Sequence, residues 1–418
     1  MNATLTPAQV LAQSFTLPNG TVLKNRLAKS AMSEALGTTD NRVTEGLSRL
    51  YGRWADGGIG LLITGNVMVD RRALGEPNNV VLEDARDMEL LRRWAGAGTR
   101  NGTALWMQLN HPGKQSPRGL NRETVAPSAI PFGRELSRFF ATPRALTEAE
   151  IEDIIQRFGR STALAKQAGF SGVQIHGAHG YLVSQFLSGH HNQRSDRWGG
   201  SAENRRRFVL ELFREMRAQA GKAFPVGIKL NSADFQRGGF TEEESLDVIR
   251  ALSEAGIDMI EISGGTYEAP AMAGAHKAVK ESTRRREAYF LEFAEKARAA
   301  VKTPLMLTGG FRSAGGMAEA VSSGAIDIVG VARALAIEPD MPARVLAGQE
   351  PQHAVQPIST GIAMVDRMAL MEVAWYSRQL RRMANGGEPK PNESGLVSFL
   401  AGMAENGWKT FQTRRLRA

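Results

Sequence analysis

Val173-Gln174-Ile175-His176-Gly177-Ala178-His179-Gly180-Tyr181 reads as a short buried strand that runs straight into two histidines and a tyrosine. Neutral imidazoles donate hydrogen bonds to a carbonyl or carry charge near neutral pH, and a phenol delivers a proton. Glycines at 177 and 180 are expected to turn the backbone sharply as it leaves the strand, so that the three polar side chains converge on one pocket. Reactive groups at the C-terminal end of a strand are the arrangement of parallel α/β barrels.

Outward from this stretch, apolar runs alternate with helical patterns. Strands are predicted over 27–32, 59–66, 104–109, 172–176, 226–230, 258–262, 305–308 and 326–329. Helices are predicted over 84–100, 147–169, 201–220, 241–256, 286–301 and 313–324, several ending in Ala-Gly or Ser-Gly. Eight strands, each followed by a helix, imply an α/β fold of the (β/α)8 TIM-barrel type rather than an open doubly wound sheet. Ahead of them, residues 15–24 alternate around Asn19-Gly20, a β-hairpin signal, and this hairpin is expected to plug the barrel bottom. The Pro- and Gly-rich connection after strand three, 110–147, is far longer than an ordinary loop and suggests a lid over the top face. The barrel is expected to occupy 1–345. A C-terminal extension over 346–418, with a helical pattern at 360–383 and an Arg-rich end at 414–417, is expected to pack on it or at an oligomer interface.

Composition narrows the chemistry. In 418 residues, 42% apolar and 23% charged, there is no cysteine, which excludes disulfides, thiolate-held iron–sulfur clusters, Cys-ligated zinc and thiol nucleophiles. No secretory signal is visible in residues 1–14 and no apolar run approaches the ~20 residues that span a bilayer, so a cytoplasmic protein without membrane partners is expected. The net charge of +9 suits an anionic ligand. Arg205-Arg206-Arg207 and Arg284-Arg285-Arg286 are candidate phosphate contacts or solvated surface, and no aromatic-rich motif accompanies them to suggest nucleic acid.

At the predicted barrel top, strand seven ends in Thr308-Gly309-Gly310-Phe311-Arg312 and strand eight in Gly330-Val331-Ala332-Arg333. Glycine frees backbone N–H groups to approach a phosphate and arginine adds a bidentate donor, so the two loops together favour a phosphate site. Ser33, Asn66, Gln108 and Lys229 stand at or near other strand ends. A buried lysine calls for an electron-rich partner, and an amide such as Gln108 suits a pyrimidine-like edge; internal hydrogen bonds in the barrel core would explain either residue equally well. For His176 and His179 a metal site, with His190 or His191 as third ligand, and a merely structural pair are the competing readings.

These residues resemble the Old Yellow Enzyme family of NAD(P)H:flavin oxidoreductases. The resemblance runs over about 12–345 and is carried by Lys24-Asn25-Arg26 through Met32, Gln108-Leu109-Asn110-His111-Pro112-Gly113-Lys114, the stretch quoted first, and Phe186 through Ser201 with its Asn192-Gln193-Arg194-Ser195-Asp196-Arg197-Trp198-Gly199-Gly200. It implies non-covalent FMN across the barrel mouth, with the phosphate on Gly310, Ala332 and Arg333. The ring would lie on Ala31 and Met32 beside Ser33, near Asn66, with Gln108 at the pyrimidine edge and Lys229 near N1 and O2. It further implies an ene-reductase fed by NADH or NADPH. His176 and His179 would bind the carbonyl oxygen of an α,β-unsaturated substrate, hydride would pass from flavin N5, and Tyr181 would protonate the α-carbon. Asn110 would face the substrate. A homo-oligomer is expected.

The chain departs from the family in places. Ser33 stands where some members carry a cysteine, and the cysteine-bound cluster of the dienoyl-CoA reductase branch has no ligands here. An amine demethylase or dehydrogenase on the same FMN barrel is the nearest alternative, and a metal-dependent barrel lyase or hydrolase a more distant one.

Overall fold

The computed structural model describes residues 5–134, 136–265, 290–353, 355, 358–359, 370–401 and 404. Eight parallel strands close on themselves: β1 (Leu27–Lys29), β2 (Leu61–Ile63), β3 (Ala104–Asn110), β4 (Gly172–Gly177), β5 (Val226–Asn231), β6 (Met259–Ser263), β7 (Leu305–Thr308) and β8 (Ile328–Val331). Each pairs with its successor, and β8 returns to β1 through Val329↔Leu27 and Gly330↔Ala28. Helices follow the strands, among them Glu45–Asp56, Met88–Gly98, Glu148–Gln167, Ala202–Ala220, Glu242–Ala255, Leu291–Ala300 and Ala314–Ser322. This is the expected (β/α)8 barrel. The strand ends differ from the expectation by a residue or a few, and the seventh strand matches it at both ends.

Local chemistry sets the helix starts. Thr147 and Thr241 each form a capping box with the glutamate three residues on, and Ser201 accepts from the Asn204 N–H. Such caps satisfy amide donors that have no partner inside the helix and are worth about 1 kcal/mol each.

The strands are buried on both faces, so alternation shows which side chains enter the barrel. Leu27, Leu62, Leu105, Leu109, Val173, Ile175, Ile228, Ile260, Leu307 and Val329 join the large core between sheet and helices. A second cluster fills the lower barrel: Ala28, Leu61, Ile63, Ala104, Trp106, Met259, Met306 and Ile328. The predicted hairpin is present, Phe15 opposite Leu23 and Thr16 opposite Val22. Its Leu17 and Leu23 belong to that inner cluster, so the hairpin plugs the bottom.

Above the apolar layer the inward positions turn polar: Ser30, Gln108, Gln174, Lys229, Glu261 and Thr308, all buried. Gly330, also inward, leaves room for this layer, since a Cβ there would collide with the Thr308 hydroxyl. The second predicted strand, 59–66, is broken. After a bend at Thr64-Gly65 the chain resumes as Val67–Met68, paired with Leu109 and Asn110 of β3. Gly65 is required at the bend because a Cβ would strike the Met32 carbonyl oxygen and the Glu34 carboxylate.

Beyond the barrel, helix Leu370–Ala384 lies against Glu45–Asp56; Arg49 Nε donates to the Ala384 carbonyl at 2.7 Å and Ser377 Oγ to the Ser33 carbonyl at 3.2 Å. Residues 360–369 of the predicted helical pattern and the Arg-rich end lie outside the described residues, as do Arg284-Arg285-Arg286. No helix among the described residues is long and apolar enough to cross a membrane.

Leu23→Ala removes a side chain that is 1% exposed from the plug, whereas its neighbour Val22 is 58% exposed. The first substitution should lower the unfolding free energy by about 2–4 kcal/mol and Val22→Ala by under about 0.5 kcal/mol. Equal urea midpoints for the two variants would show that the plug carries no packing energy.

Candidate active site

The polar layer forms one connected network. Glu261 Oε1 accepts from Ser30 Oγ, from Thr308 Oγ1 at 2.8 Å and from Lys229 Nζ at 3.0 Å. Lys229 Nζ also donates to Ser30 Oγ at 2.8 Å. On the other side Gln174 Nε2 donates to Glu261 Oε2 at 2.7 Å, and Gln108 Nε2 donates to Gln174 Oε1 at 2.8 Å. The electron-rich partner that a buried Lys229 calls for is therefore Glu261. Both internal-bond readings of Gln108 and Lys229 hold for this network, and the two residues still stand directly beneath the barrel mouth.

Around the mouth the strand exits become partly exposed together: Ala31, Met32 and Ser33 after β1, Asn66 after β2, His179 after β4, Gly309 and Gly310 after β7, and Ala332 and Arg333 after β8. Gly309 and Gly310 adopt φ of 118° and 92°, accessible to glycine but strained for other residues. The amide nitrogen and oxygen of Asn110 are both buried without a hydrogen-bond partner, an arrangement costly unless a ligand satisfies them.

The β4 exit brings His176, His179 and Tyr181 together. The His176 ring centroid lies 5.3 Å from that of His179 and 4.7 Å from that of Tyr181. The turn is made differently from the sequence expectation. Gly180 has φ of 78°, but Gly177 stays in the strand, where a Cβ would crowd Ile228 and the Lys229 carbonyl; His179 itself takes the left-handed conformation, φ 60°. Asn231 supports that strained residue: its Oδ1 accepts from the His179 N–H at 3.1 Å while its Nδ2 donates to Asp234 and to the Gly265 carbonyl, each at 3.1 Å. Ser263 Oγ lies 2.8 Å from His179 Nε2. Asn66 Nδ2 donates to Tyr181 Oη at 3.4 Å.

The long connection reaches this turn. Gln115 Nε2 donates to the His179 carbonyl at 2.7 Å, and Gln185 ties the Pro112 and Gly180 carbonyls together at 3.1 and 2.7 Å. Within the connection, Val125–Ala126 pairs with Arg144–Ala145.

Burial governs the electrostatics. His176 is held well below the ordinary histidine range, first by burial and then by His179 and Lys229; His179 is lowered to about 3 by burial and Lys229. Both rings are therefore neutral at pH 7. The Ala178 N–H donates to His176 Nδ1 at 3.4 Å, which leaves the His176 proton on Nε2. Burial pushes the Glu261 carboxyl up, but Lys229 together with the Ser30 and Thr308 hydroxyls outweighs it and holds the group below its usual range.

Several groups named from sequence lie elsewhere. Arg205 is bound to Glu244 and to the Leu187 and Gly200 carbonyls, and Arg207 to the Arg197 carbonyl and Asn204, so these two arginines hold local structure. His190 and His191 meet edge to face with centroids 4.7 Å apart. No three His, Cys, Asp or Glu side chains gather into a metal-binding group among the described residues. Glu261, Gln174 and Asn231 went unnoticed in the sequence. Their signal is a polar residue at every second position in the upper half of an apolar strand: Gln174 and His176, Lys229 and Asn231, Glu261 and Ser263.

The model of the NADH:flavin oxidoreductase / NADH oxidase family matches residues 11–352. The NADH-dependent flavin oxidoreductase iccE of Talaromyces variabilis is 37% identical over 408 residues, covering 90% of this chain and 99% of that protein. The NADH-dependent flavin oxidoreductase nadA of Aspergillus parasiticus is 34% identical over 400 residues, 92% of this chain and 87% of that one. Among solved structures, a 2-naphthoyl-CoA reductase complex is similar with a TM-score of 0.76 at 25% identity, over 89% of this chain and 58% of that one. The old yellow enzyme homologue of Zymomonas mobilis shares the fold with a TM-score of 0.69 at 22% identity, over 83% of this chain and 94% of that one.

The neutral histidines make stability depend on pH. An unfolded histidine binds its proton near pH 6.5, whereas folded His179 does so only near 3 and His176 well below 6.5. The stability they contribute is complete above pH 6.5 and is lost as the pH falls below it, by up to about 1.4 kcal/mol per group and pH unit. Urea unfolding at pH 7.5, 6.5 and 5.5 should show a shallower decline for His176→Gln/His179→Gln than for the parent protein. Glu34 and Asp234, whose pKa values are raised by burial, act in the opposite sense in both proteins and cancel in the comparison. Parallel declines would mean the rings are not held neutral.

Proposed function

The chain belongs to the NADH:flavin oxidoreductase / NADH oxidase family, and on that premise we propose that it is an ene-reductase acting on the C=C bond of α,β-unsaturated carbonyl compounds. It is an FMN-dependent oxidoreductase that draws on a nicotinamide donor. The observation that carries the finer reading is the grouping of two neutral imidazoles and a phenol at the β4 exit, beside the mouth of the barrel.

The residues around the mouth suit FMN. Gly309 and Gly310 present backbone amides without side chains in the way, so Gly310, Ala332 and Arg333 would hold the phosphate. The exits at Ala31, Met32 and Ser33 and at Asn66 would border the ring, and Gln108 and Lys229 would meet its pyrimidine edge. When bound, FMN supplies hydride exchange between the nicotinamide donor and the substrate.

His176 offers Nε2–H as a fixed donor, and with His179 it would polarise a substrate carbonyl oxygen, drawing electron density from the conjugated double bond. Because neither ring carries a second proton at pH 7, neither is positioned to act as the acid. That role falls to the Tyr181 hydroxyl, and the Asn66 amide that donates to its oxygen would stabilise the phenolate left behind. Asn110, with both amide atoms unsatisfied, would orient the substrate.

Tyr181→Phe removes only the acidic hydroxyl. Stopped-flow absorbance should show flavin reduction by NADH or NADPH at nearly the parent rate, with reoxidation by a cyclic enone slowed roughly 10²–10⁴-fold, the usual worth of a positioned acid. Full enone turnover in this variant would transfer the protonation to water or another residue, and a defect confined to the reductive half-reaction would remove Tyr181 from the role altogether.

A further inference from the structure

We propose that Glu261 is a positioning residue that sets both the net charge and the hydrogen-bond polarity which the barrel presents to the pyrimidine end of FMN; this rests on the FMN site described above. Its carboxylate lies one layer below the mouth and joins the two residues assigned to that edge. Lys229 is 3.0 Å away on one side, and Gln108 is reached through Gln174 on the other.

The polarity argument follows from what each group can do. An ionised carboxylate only accepts, so Gln174 must turn its NH2 toward Glu261 and its carbonyl oxygen toward Gln108. Gln108 must then give an N–H to Gln174. That orientation reserves the Gln108 carbonyl oxygen, with one remaining N–H, for whatever lies above. A pyrimidinedione edge, an N–H flanked by carbonyl oxygens, is complementary to that pair. Were residue 261 an amide, it could donate or accept, and both glutamines could flip.

The charge argument concerns Lys229. A cation beside the pyrimidine edge favours negative charge there. Glu261 offsets that cation at close range, so the cofactor meets a lysine whose field is largely compensated. The carboxylate is ionised because Lys229, Ser30 and Thr308 hold it so against its burial. Without Lys229 it would take up a proton and lose its electrostatic influence, so the two residues act as a unit.

The test uses FMN-loaded protein and two readouts apart from turnover: the two-electron potential of the bound cofactor and its dissociation constant from fluorescence. Glu261→Gln should raise the potential by at least about 30 mV, a tenfold change in the redox equilibrium, and should weaken FMN binding. Glu261→Asp keeps the charge and should hold the potential near the parent value, which separates charge from packing. In a Lys229→Met background, Glu261→Gln should change the potential far less. Gln174→Leu cuts only the link to Gln108 and should weaken FMN binding about tenfold with little change in potential, and it tests the polarity argument even if Glu261→Gln does not fold. An unchanged potential in Glu261→Gln, an equal shift in the Lys229→Met background, or parent FMN affinity in Gln174→Leu would overturn the assignment. Purified parent protein without FMN would overturn the underlying reading instead.

Discussion

The ion pair between Lys229 and Glu261, buried inside a closed barrel, is the constraint around which the upper half of the molecule is arranged. A buried pair of this kind contributes little net stability, because removing two charges from water costs about as much as their attraction returns. It persists here because both carboxylate oxygens have further donors, Ser30 just after β1, Thr308 from β7 and Gln174 from β4. Four strands besides β6 thus contribute to one carboxylate. The apolar layer beneath, sealed by Leu17 and Leu23 of the hairpin, keeps water from reaching the pair from below. A structural core could have been built from leucine at these positions at lower cost, so the polar layer is best understood through what it presents to the mouth.

The fold was legible because the strand signals were long and the helix stops were glycines. Val226–Asn231 and Leu305–Thr308 are apolar runs bounded by turn residues, and burial on both faces makes such runs nearly continuous in a parallel sheet. Where the signal failed, the cause was tertiary. Nothing local in Thr64-Gly65 says that the second strand stops there; the break exists because the Met32 carbonyl and the Glu34 carboxylate pass against Gly65. The histidines, the tyrosine and Lys229 were identifiable as candidates because such residues stand out in apolar surroundings. Glu261 sits in equally apolar surroundings, but its role depends on register and is not legible locally: only pairing Lys229 with Glu261 across β5 and β6 makes the two partners.

The turn after β4 shows the same limit in the backbone. Two glycines near two histidines suggest that glycine does the bending, and Gly180 does. Gly177 is small for another reason, the approach of Ile228 from β5, and the second unusual conformation falls on His179. A left-handed histidine is strained, and strain of this kind persists only where neighbours over-determine it. Asn231 grips its N–H, Gln115 its carbonyl oxygen and Ser263 meets its ring. Three separate elements, including the long connection after β3, therefore fix one imidazole.

Charge links this turn to the layer below. Burial keeps both imidazoles neutral, and Lys229 beneath the mouth adds to that effect on each. Glu261 acts the other way on His179, raising its pKa, yet does not overcome burial. On the proposed reading, a neutral ring that donates one hydrogen bond would polarise a carbonyl without competing to protonate it, which would leave proton delivery to the phenol. On that reading, burial reinforced by one fixed charge would thus separate two tasks that adjacent imidazoles and a phenol could otherwise share: polarising the substrate and supplying its proton.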